Sequence, residues 1–312
     1  MIEVIPDALD EERVDRVISM VLGVSRSAAA AAVSSGQVHL DGKAVTKPSQ
    51  RVATDQELSV DDAILDTDVE LAADASVEVD LAHVDDDVIV VAKKSGQIVH
   101  PGAGHSDGTI AQGLLASFPE IRHVGEPMRP GIVHRLDKGT SGVLMVARTG
   151  GAYDSLTNQL RERSVDRRYL SVAWGHPETP RGVIEAPIGR AIRDPTRMVV
   201  REDGKRARTS YTVLATWSDP EVCLLSCELD TGRTHQIRVH LEAIGHPVVG
   251  DPRYGGGRPS LDMDRPALHA AELGFTHPST GERLDFSDPL PADIAAVISE
   301  LGEPDTGEVV ST

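Results

Sequence analysis

Residues 131–148, GIVHRLDKGTSGVLMVAR, join a charged loop to an apolar run of strand length. The run Val143–Ala147 predicts a buried strand, because a short stretch without polar residues requires cover on both faces. Asp137 lies in the loop between Arg135 and Lys138. A carboxylate flanked by cations, on a loop that is fixed to a rigid strand, is a candidate active group. A solvated salt-bridge loop is the alternative that these residues leave open.

Four motifs along the chain occur in the order of one protein family. They are HRLD at 134–137, RRYLSVAWG at 167–175, LDTGRTHQIRVHLEAIGHPVVGD at 229–251 and ALHAAELGFTHP at 267–278. These stretches resemble the aspartate, tyrosine, arginine and C-terminal motifs of the RluA family of RNA pseudouridine synthases. One short match would be weak, but four in order are specific, and together they cover most of residues 85–295.

The resemblance implies a role for each matched side chain. Asp137 is the implied catalytic carboxylate, and Arg238 is the cation that pairs with it. Tyr169 matches the ring that stacks on the flipped uracil and relays its C5 proton. Arg135 matches the side chain that fills the stack vacated by the base. The further candidate substrate-binding residues are His134, Thr140, Arg233, His235 and Gln236. The implied isomerisation needs neither net redox chemistry nor energy input, so no cofactor is expected.

The N-terminal stretch predicts two helices followed by two strands. Apolar residues at helical spacing predict a helix over 10–22 with Asp10 as its N-cap, and a second helix covers 26–35. QVHLDGKAV at 37–45 predicts two short strands around an Asp41-Gly42 turn. This block resembles an S4 RNA-binding domain.

The remainder of the chain predicts a larger α+β domain. Several strands follow one another with few long helices and without βαβ alternation, which indicates a mixed, largely antiparallel sheet. One of its helices is predicted over 234–244, with Thr234 as the N-cap. The predicted divisions are an S4-like domain at 10–62, an acidic connector at 63–80, a pseudouridine synthase catalytic domain at 81–300 and an acidic tail at 301–312.

The net charge of −18 argues against a nucleic-acid-binding protein when it is read over the whole chain, because phosphate contacts require Lys and Arg. Residues 1–92 hold 20 acidic and 6 basic side chains, whereas the rest of the chain is nearly balanced. Arginines concentrate in 161–208, which predicts a surface that tracks an RNA backbone, with a solvated arginine-rich face as the alternative. The candidate RNA-binding residues are Arg26, Lys43, Arg161, Arg167, Arg168 and Arg206.

Cysteine and histidine placement predicts no metal site. Cys223 and Cys227 share one face of the apolar run 222–229, so we expect core thiols and not a disulfide. The twelve histidines lack metal-ligand spacing. No apolar run is long enough for a transmembrane helix and no signal-peptide core is present, so we expect a cytoplasmic protein. We also expect a monomer.

The resemblance implies that the protein isomerises specific uridines to pseudouridine in structured RNA. An S4 module ahead of the catalytic domain is typical of family members that modify large-subunit rRNA, so 23S rRNA or the assembling large ribosomal subunit is the expected partner. Members that modify tRNA often lack the module and remain an alternative. Two other classes stay open: a non-catalytic RNA-binding or ribosome-assembly factor on the same fold, and a glycoside hydrolase that uses Asp137 with a second carboxylate.

Overall fold

A computed structural model describes residues 2–22, 24, 26–61, 71–102, 105–194 and 196–309. The chain divides into two compact units, Met1–Glu70 and Leu71–Thr312. No helix in the described ranges combines the length and the apolar character that crossing a bilayer requires.

The N-terminal unit consists of two helices packed on a small sheet. Its elements are β1 (Ile2–Val4), α1 (Val14–Leu22), α2 (Arg26–Ser34), β2 (Val38–Leu40), β3 (Lys43–Ala44) and β4 (Glu57–Val60), with a 3₁₀ turn at Asp7–Leu9. The strands are antiparallel in the order β1-β4-β2-β3. Val17 and Ile18 of α1 are fully buried and share a core with Ala29 and Leu58. Small aliphatic side chains therefore build this core without an aromatic residue.

Two local predictions for this unit have different outcomes. Asp41 and Gly42 have φ angles of 50° and 74°, as the predicted hairpin turn requires, so that prediction is confirmed. The prediction of Asp10 as a helix N-cap is wrong, because α1 begins only at Val14. The Asp10 carboxylate instead accepts a hydrogen bond from the backbone N–H of Thr54, which ties the preceding loop to a later turn.

The C-terminal unit contains the large sheet and four helices among its described residues. Its elements are β5 (Leu81–Val84), β6 (Val88–Lys93), α3 (Ile110–Ser117), β7 (Gly125–Glu126), β8 (Arg129–Pro130), β9 (Ser141–Ala147), α4 (Gly150–Glu162), β10 (Asp166–Trp174), β11 (Arg181–Glu185), β12 (Ile188–Arg190), β13 (Met198–Val200), β14 (Arg208–Ser218), β15 (Glu221–Leu229), α5 (Gln236–Ala243), β16 (Leu268–Thr276), β17 (Arg283–Ser287), α6 (Ala292–Glu300) and β18 (Thr306–Gly307). A 3₁₀ helix covers Pro119–His123.

The main sheet runs in the order β11-β14-β15-β10-β16-β9-β6-β5, with β17 beside β16 and β18 beside β14. Neighbouring strands are antiparallel except β9 and β16, which pair in parallel. The predicted mixed, largely antiparallel sheet is therefore confirmed. At the parallel pair Gly142 has a φ of 114°, and a Cβ atom there would lie 2.2 Å from the carbonyl oxygen of Ala270. Only glycine allows the two strands to approach so closely.

The sequence of β9 contains a continuous apolar run because the strand lies inside the hydrophobic core. All seven of its residues are buried, and Leu144 shares one cluster with Leu114 of α3 and Leu156 of α4. Cys223 and Cys227 are free thiols buried in the same cluster, as predicted. Each leucine in such a position stabilises the fold by about 1.5–3 kcal/mol.

The boundaries of this unit differ from those that composition suggested. Residues 63–70 of the proposed connector lie outside the described residues, but Leu71 is 4% exposed and belongs to the main core. The backbone N–H of Asp74 donates to the carbonyl of Gln112, and Val79 packs against the core. At the other end, the indole N–H of Trp217 donates to the carbonyl of Gly302, and β18 extends the sheet. Acidic composition did not reveal these backbone contacts.

Candidate active site

The 134–140 loop is held in place by contacts to the strands on either side. His134 Nε2 accepts a hydrogen bond of 3.0 Å from the backbone N–H of Met145 in β9. Burial, together with the nearby charge of Arg167, lowers the pKa of His134 to about 3, although one edge of the ring reaches the cleft. The ring is therefore neutral, as an acceptor must be. The backbone N–H of Thr140 closes the loop on the carbonyl of Asp137 at 3.0 Å.

The buried side chain of Lys93 anchors the same loop by hydrogen bonds. The sequence analysis did not identify this residue. This last residue of β6 is 1% exposed, and its ammonium donates to the carbonyls of Lys94, Lys138 and Thr140 at 3.0, 3.2 and 2.7 Å. Burial lowers its pKa to about 7, against the attraction of Asp137. The available signal was a lysine that directly continues an apolar strand, a position where a charge can stay only if it is paired.

Asp137 pairs with the arginine that the resemblance indicated. Arg238 Nη1 lies 3.0 Å from Asp137 Oδ2, while its Nε and Nη2 donate to the two oxygens of Asp251 at 2.6 and 2.9 Å. Asp251 is fully buried. Burial opposes the charge of Arg238, but the two carboxylates outweigh that effect and raise its pKa further. The guanidinium is therefore fixed by one carboxylate and presented to the other.

The helix that carries Arg238 begins two residues later than predicted. The prediction of Thr234 as N-cap is wrong, because α5 starts at Gln236 and His235 precedes it with a left-handed φ of 57°. The side-chain carboxamide of Gln236 forms the hydrogen bonds at the start of this helix instead. Its oxygen accepts from the backbone N–H of Arg233 and from Thr231 Oγ1, and its nitrogen donates to Arg208 and Thr209.

The paired carboxylate opens onto a cleft of about 520 Å³. Tyr169 lies in its wall and is 6% exposed. Burial raises the pKa of Tyr169 to about 12, so its hydroxyl stays protonated near neutral pH. Other predicted site residues in the cleft wall are His134, Arg135, Thr140, Arg233, His235 and Gln236. The structure thus places Asp137, Tyr169 and the six proposed substrate-binding residues in the wall of one cleft, and Arg238 is joined to it through its ion pair with Asp137.

These residues differ in how far their side chains are free for a ligand. Arg135 is exposed at the cleft, with its Nη1 3.1 Å from His100 Nε2. Arg233 is braced by a bond from its Nε to the carbonyl of Arg206. Thr140 is buried, and its Oγ1 has no hydrogen-bond partner in the part of the chain that the structure describes.

The candidate RNA-binding residues separate into different environments. Arg161 and Arg167 line the cleft, and Arg167 is 8% exposed. Arg168 and Arg206 lie outside it and are ion-paired with Glu272 and Glu185. In the N-terminal unit, Lys43 is exposed on β3. The side chain of Arg26 lies outside the described residues.

Other carboxylates near the cleft are already engaged. Asp230 lines the cleft and is ion-paired with Arg208, and Asp251 is buried under Arg238. Neither is free in the way that the second carboxylate of a glycoside hydrolase must be. No cluster of three potential metal ligands occurs among the described residues.

The chain matches two families of known proteins. Residues 87–243 match the RNA pseudouridylate synthase family, and residues 12–58 match the S4 domain. The uncharacterized RNA pseudouridine synthase YlyB of Bacillus subtilis is 49% identical over 214 residues, 69% of this chain and 70% of that protein. The ribosomal large subunit pseudouridine synthase D of Xanthomonas campestris pv. campestris is 39% identical over 96% of this chain and 92% of its own length.

A solved structure agrees with the sequence matches. Human RNA pseudouridylate synthase domain containing 1 superposes with a TM-score of 0.55 at 27% identity, over 75% of this chain and 98% of the human chain. The match at 87–243 includes Asp137 and Tyr169, which line the cleft, and Arg238, which is ion-paired with Asp137. The chain belongs to the RNA pseudouridylate synthase family and is an RNA-modifying isomerase with an added S4 domain.

Proposed function

We propose that the protein converts specific uridines of large-subunit ribosomal RNA to pseudouridine, with Asp137 as the catalytic carboxylate. The observation that carries this proposal is the ion pair of Asp137 and Arg238 at the cleft that Tyr169 also lines. The ribosomal target is supported by the relative from Xanthomonas campestris, which is named for the large subunit and matches both units of this chain.

The reaction sets clear demands on the site. The N1–C1′ bond breaks, the uracil turns, a C5–C1′ bond forms, and the proton lost from C5 is balanced by one gained at N1. Asp137 faces the ribose in this proposal and supplies the negative charge that C1′ requires. The guanidinium of Arg238 holds that carboxylate at a fixed angle, because Asp251 fixes the guanidinium itself.

The base requires a surface on which it can turn. Tyr169 offers a ring face in the cleft wall, and its protonated hydroxyl can pass a proton without carrying a charge. Arg135 is the exposed side chain at the cleft that is suited to replace the flipped base in its helix. Base flipping costs a few kcal/mol, which stacking and phosphate contacts can offset.

The cleft is complete within one chain, and this supports action as a monomer. We infer that the partner is 23S rRNA or the assembling large subunit, in the compartment where ribosomes assemble, which is the cytoplasm in a bacterium. In this proposal the S4-like unit restricts the search to one region of the RNA, which raises the local concentration of the target uridine.

The test compares 23S rRNA and tRNA transcripts as substrates of the full-length protein. Pseudouridines are mapped by primer extension after carbodiimide labelling, with Asp137→Asn as the matched control for contaminating activity. The proposal predicts new stops in the 23S transcript that require Asp137. Stops confined to tRNA would replace the ribosomal target with the tRNA alternative, and stops that persist with Asp137→Asn would remove Asp137 from the mechanism.

A further inference from the structure

Tyr254 lies beside the proposed catalytic centre, and neither the motifs nor the proposed mechanism assigns it a role. Tyr254 is 1% exposed, and its ring packs against two guanidiniums, with Arg238 Cζ 5.0 Å and Arg197 Cζ 5.3 Å from the ring centroid. Its hydroxyl accepts a hydrogen bond of 3.1 Å from the backbone N–H of Met198 in β13. The same hydroxyl lies 2.8 Å from His235 Nδ1.

This arrangement determines which nitrogen of His235 carries the proton. Tyr254 is buried, so its hydroxyl proton needs an acceptor within the protein. Of the two hydrogen-bond partners of this hydroxyl among the described residues, the N–H of Met198 can only donate, which leaves His235 Nδ1 as the acceptor. A neutral imidazole that accepts at Nδ1 carries its proton at Nε2. That atom lies 4.0 Å from Asp137 Oδ1, the carboxylate oxygen opposite the one that Arg238 holds.

The backbone of His235 agrees with a fixed ring. Its φ of 57° and ψ of 23° lie in the left-handed region, which is unfavourable for a residue other than glycine. Such a conformation persists where surrounding contacts determine it, and these positions often occur at functional sites. The edge-to-face contact of the His235 and Tyr254 rings, with centroids 5.7 Å apart, is one such contact.

We propose that Tyr254 is a positioning residue that holds His235 as the Nε2–H tautomer and directs this N–H toward Asp137. The inference rests on the proposed catalytic role of Asp137. At 4.0 Å the two atoms are about 1 Å beyond hydrogen-bond length, so the N–H acts as an oriented dipole beside the carboxylate. Asp137 is thereby held by a charged donor on one oxygen and faced by a neutral donor on the other.

The charges around His235 determine the expected pH response. Burial lowers its pKa, Asp137 and Asp251 raise it, and Arg238 and Arg253 lower it. A hydroxyl that donates to Nδ1 stabilises the neutral ring, so removing this hydroxyl raises the pKa. A protonated ring would attract the carboxylate and reduce its reactivity toward C1′. As the pH is lowered, a Tyr254→Phe variant should therefore lose activity at a higher pH than the unmodified protein does.

The first experiment reads the tautomer directly and needs no RNA. Full-length protein carries ¹⁵N-labelled histidine, and the ring signals of His235 are identified by their absence from a His235→Asn variant. We expect the Nε2–H tautomer in the unmodified protein, a mixture in Tyr254→Phe, and no change in Tyr211→Phe, whose hydroxyl contacts Thr179. An Nδ1–H tautomer in the unmodified protein would overturn the inference, whatever the substrate of the enzyme proves to be.

The second experiment measures single-turnover pseudouridine formation between pH 5.5 and 9. Tyr254→Phe should react about tenfold more slowly at pH 8, bind RNA with unchanged affinity and lose activity at a higher acidic pH than the unmodified protein. The double variant Tyr254→Phe/His235→Asn should be no slower than His235→Asn alone, because Tyr254 acts through His235. Additive losses would show that Tyr254 acts only by packing on the arginines. Absence of product from every protein would contradict the proposed function and leave the tautomer measurement to decide this inference.

Discussion

Of the two carboxylates that pair with Arg238, Asp137 is the partly exposed one. Its side chain is 17% exposed, whereas that of Asp251, the other partner of Arg238, is fully buried. One arginine therefore joins a buried structural carboxylate to the proposed catalytic one. Since the buried pair holds the arginine in place, we expect that Asp137 can be changed without loss of the fold.

Asp137→Asn should abolish catalysis and preserve structure. The amide keeps the size of the side chain but cannot supply negative charge, so the single-turnover rate should fall by at least about 10³-fold. The melting temperature should change by less than about 3 °C, because the pair of Arg238 and Asp251 remains. Asp154→Asn on the exposed side of α4 is the matched control, and its rate should equal that of the unmodified protein.

Tyr169 permits its ring and its hydroxyl to be tested separately. Tyr169→Phe keeps the stacking face, so RNA binding should persist while the rate falls about 100-fold through loss of the proton relay. Tyr169→Ala removes both and should also weaken binding, by about 1–3 kcal/mol for one lost stack. Rates are measured by single turnover and affinities by filter binding. Full activity of Tyr169→Phe would reduce its role to stacking.

At the scale of elements, Lys93 links the end of β6 to the loop that carries Asp137. The three carbonyls that accept from its ammonium belong to Lys94, Lys138 and Thr140. A buried lysine is costly unless its donors are used, and here all three are used. The position of Asp137 therefore depends on a strand whose sequence lies more than forty residues earlier.

Lys93→Met should destabilise the fold by about 2–4 kcal/mol, because three buried carbonyls lose their donor. The rate should fall as well, since the loop is no longer anchored. Urea denaturation measures the stability. Lys94→Met is the matched control, because Lys94 is exposed and its ammonium pairs with Asp80 at 2.9 Å. Equal stability of the two variants would contradict this role for Lys93.

The same substitution has a defined pH dependence. The folded protein releases the Lys93 proton near pH 7, whereas the unfolded chain keeps it to about pH 10.5. The unfolded state binds more protons between these values, so this lysine makes the free energy of unfolding rise with pH across that window. The stability difference between the unmodified protein and Lys93→Met should therefore widen from pH 7 to pH 10. A difference independent of pH would show that the pKa of Lys93 is the same in both states.

At the scale of the whole molecule, the distribution of basic side chains indicates where we expect contacts with RNA phosphates. In the N-terminal unit Arg13, Arg16 and Arg51 each lie next to an acidic side chain: Asp15, Glu12 and Glu11. In the C-terminal unit, Arg161 and Arg163 line the cleft, where a nucleic-acid backbone would enter. Phosphate contacts are therefore expected mainly around the cleft.

Deleting residues 1–70 should weaken binding to the target RNA by less than about tenfold and leave its salt dependence nearly unchanged. This boundary keeps Leu71, which belongs to the catalytic core. Arg161→Gln/Arg163→Gln in the full-length protein is the comparison, and it should lower the slope of log affinity against log salt by about 1.8. A large loss of slope in the deletion would assign the electrostatic contacts to the S4-like unit.

The sequence by itself determined those features that depend on residues adjacent along the chain. The apolar run Val143–Ala147 predicted β9, because a strand with both faces covered excludes polar side chains. The Asp41-Gly42 turn followed from local backbone preferences. Asp137, Tyr169 and Arg238 could be named because each lies within a contiguous motif. These three residues could therefore be predicted without knowing which residues contact them in the folded protein.

Only the tertiary structure decided how distant residues are combined. Asp137 and Arg238 are 101 positions apart and meet because the fold places α5 beside the 134–140 loop. The same holds for the contacts of Lys93, Asp251 and Tyr254. Each of them contacts a residue that is distant in the sequence, so the sequence alone did not indicate these contacts. Residues 71–80 and 301–307 were assigned from their composition to an acidic connector and an acidic tail, yet their backbones form hydrogen bonds with the catalytic unit. Composition reports the side chains, whereas burial and hydrogen bonding depend on what the fold places against the backbone.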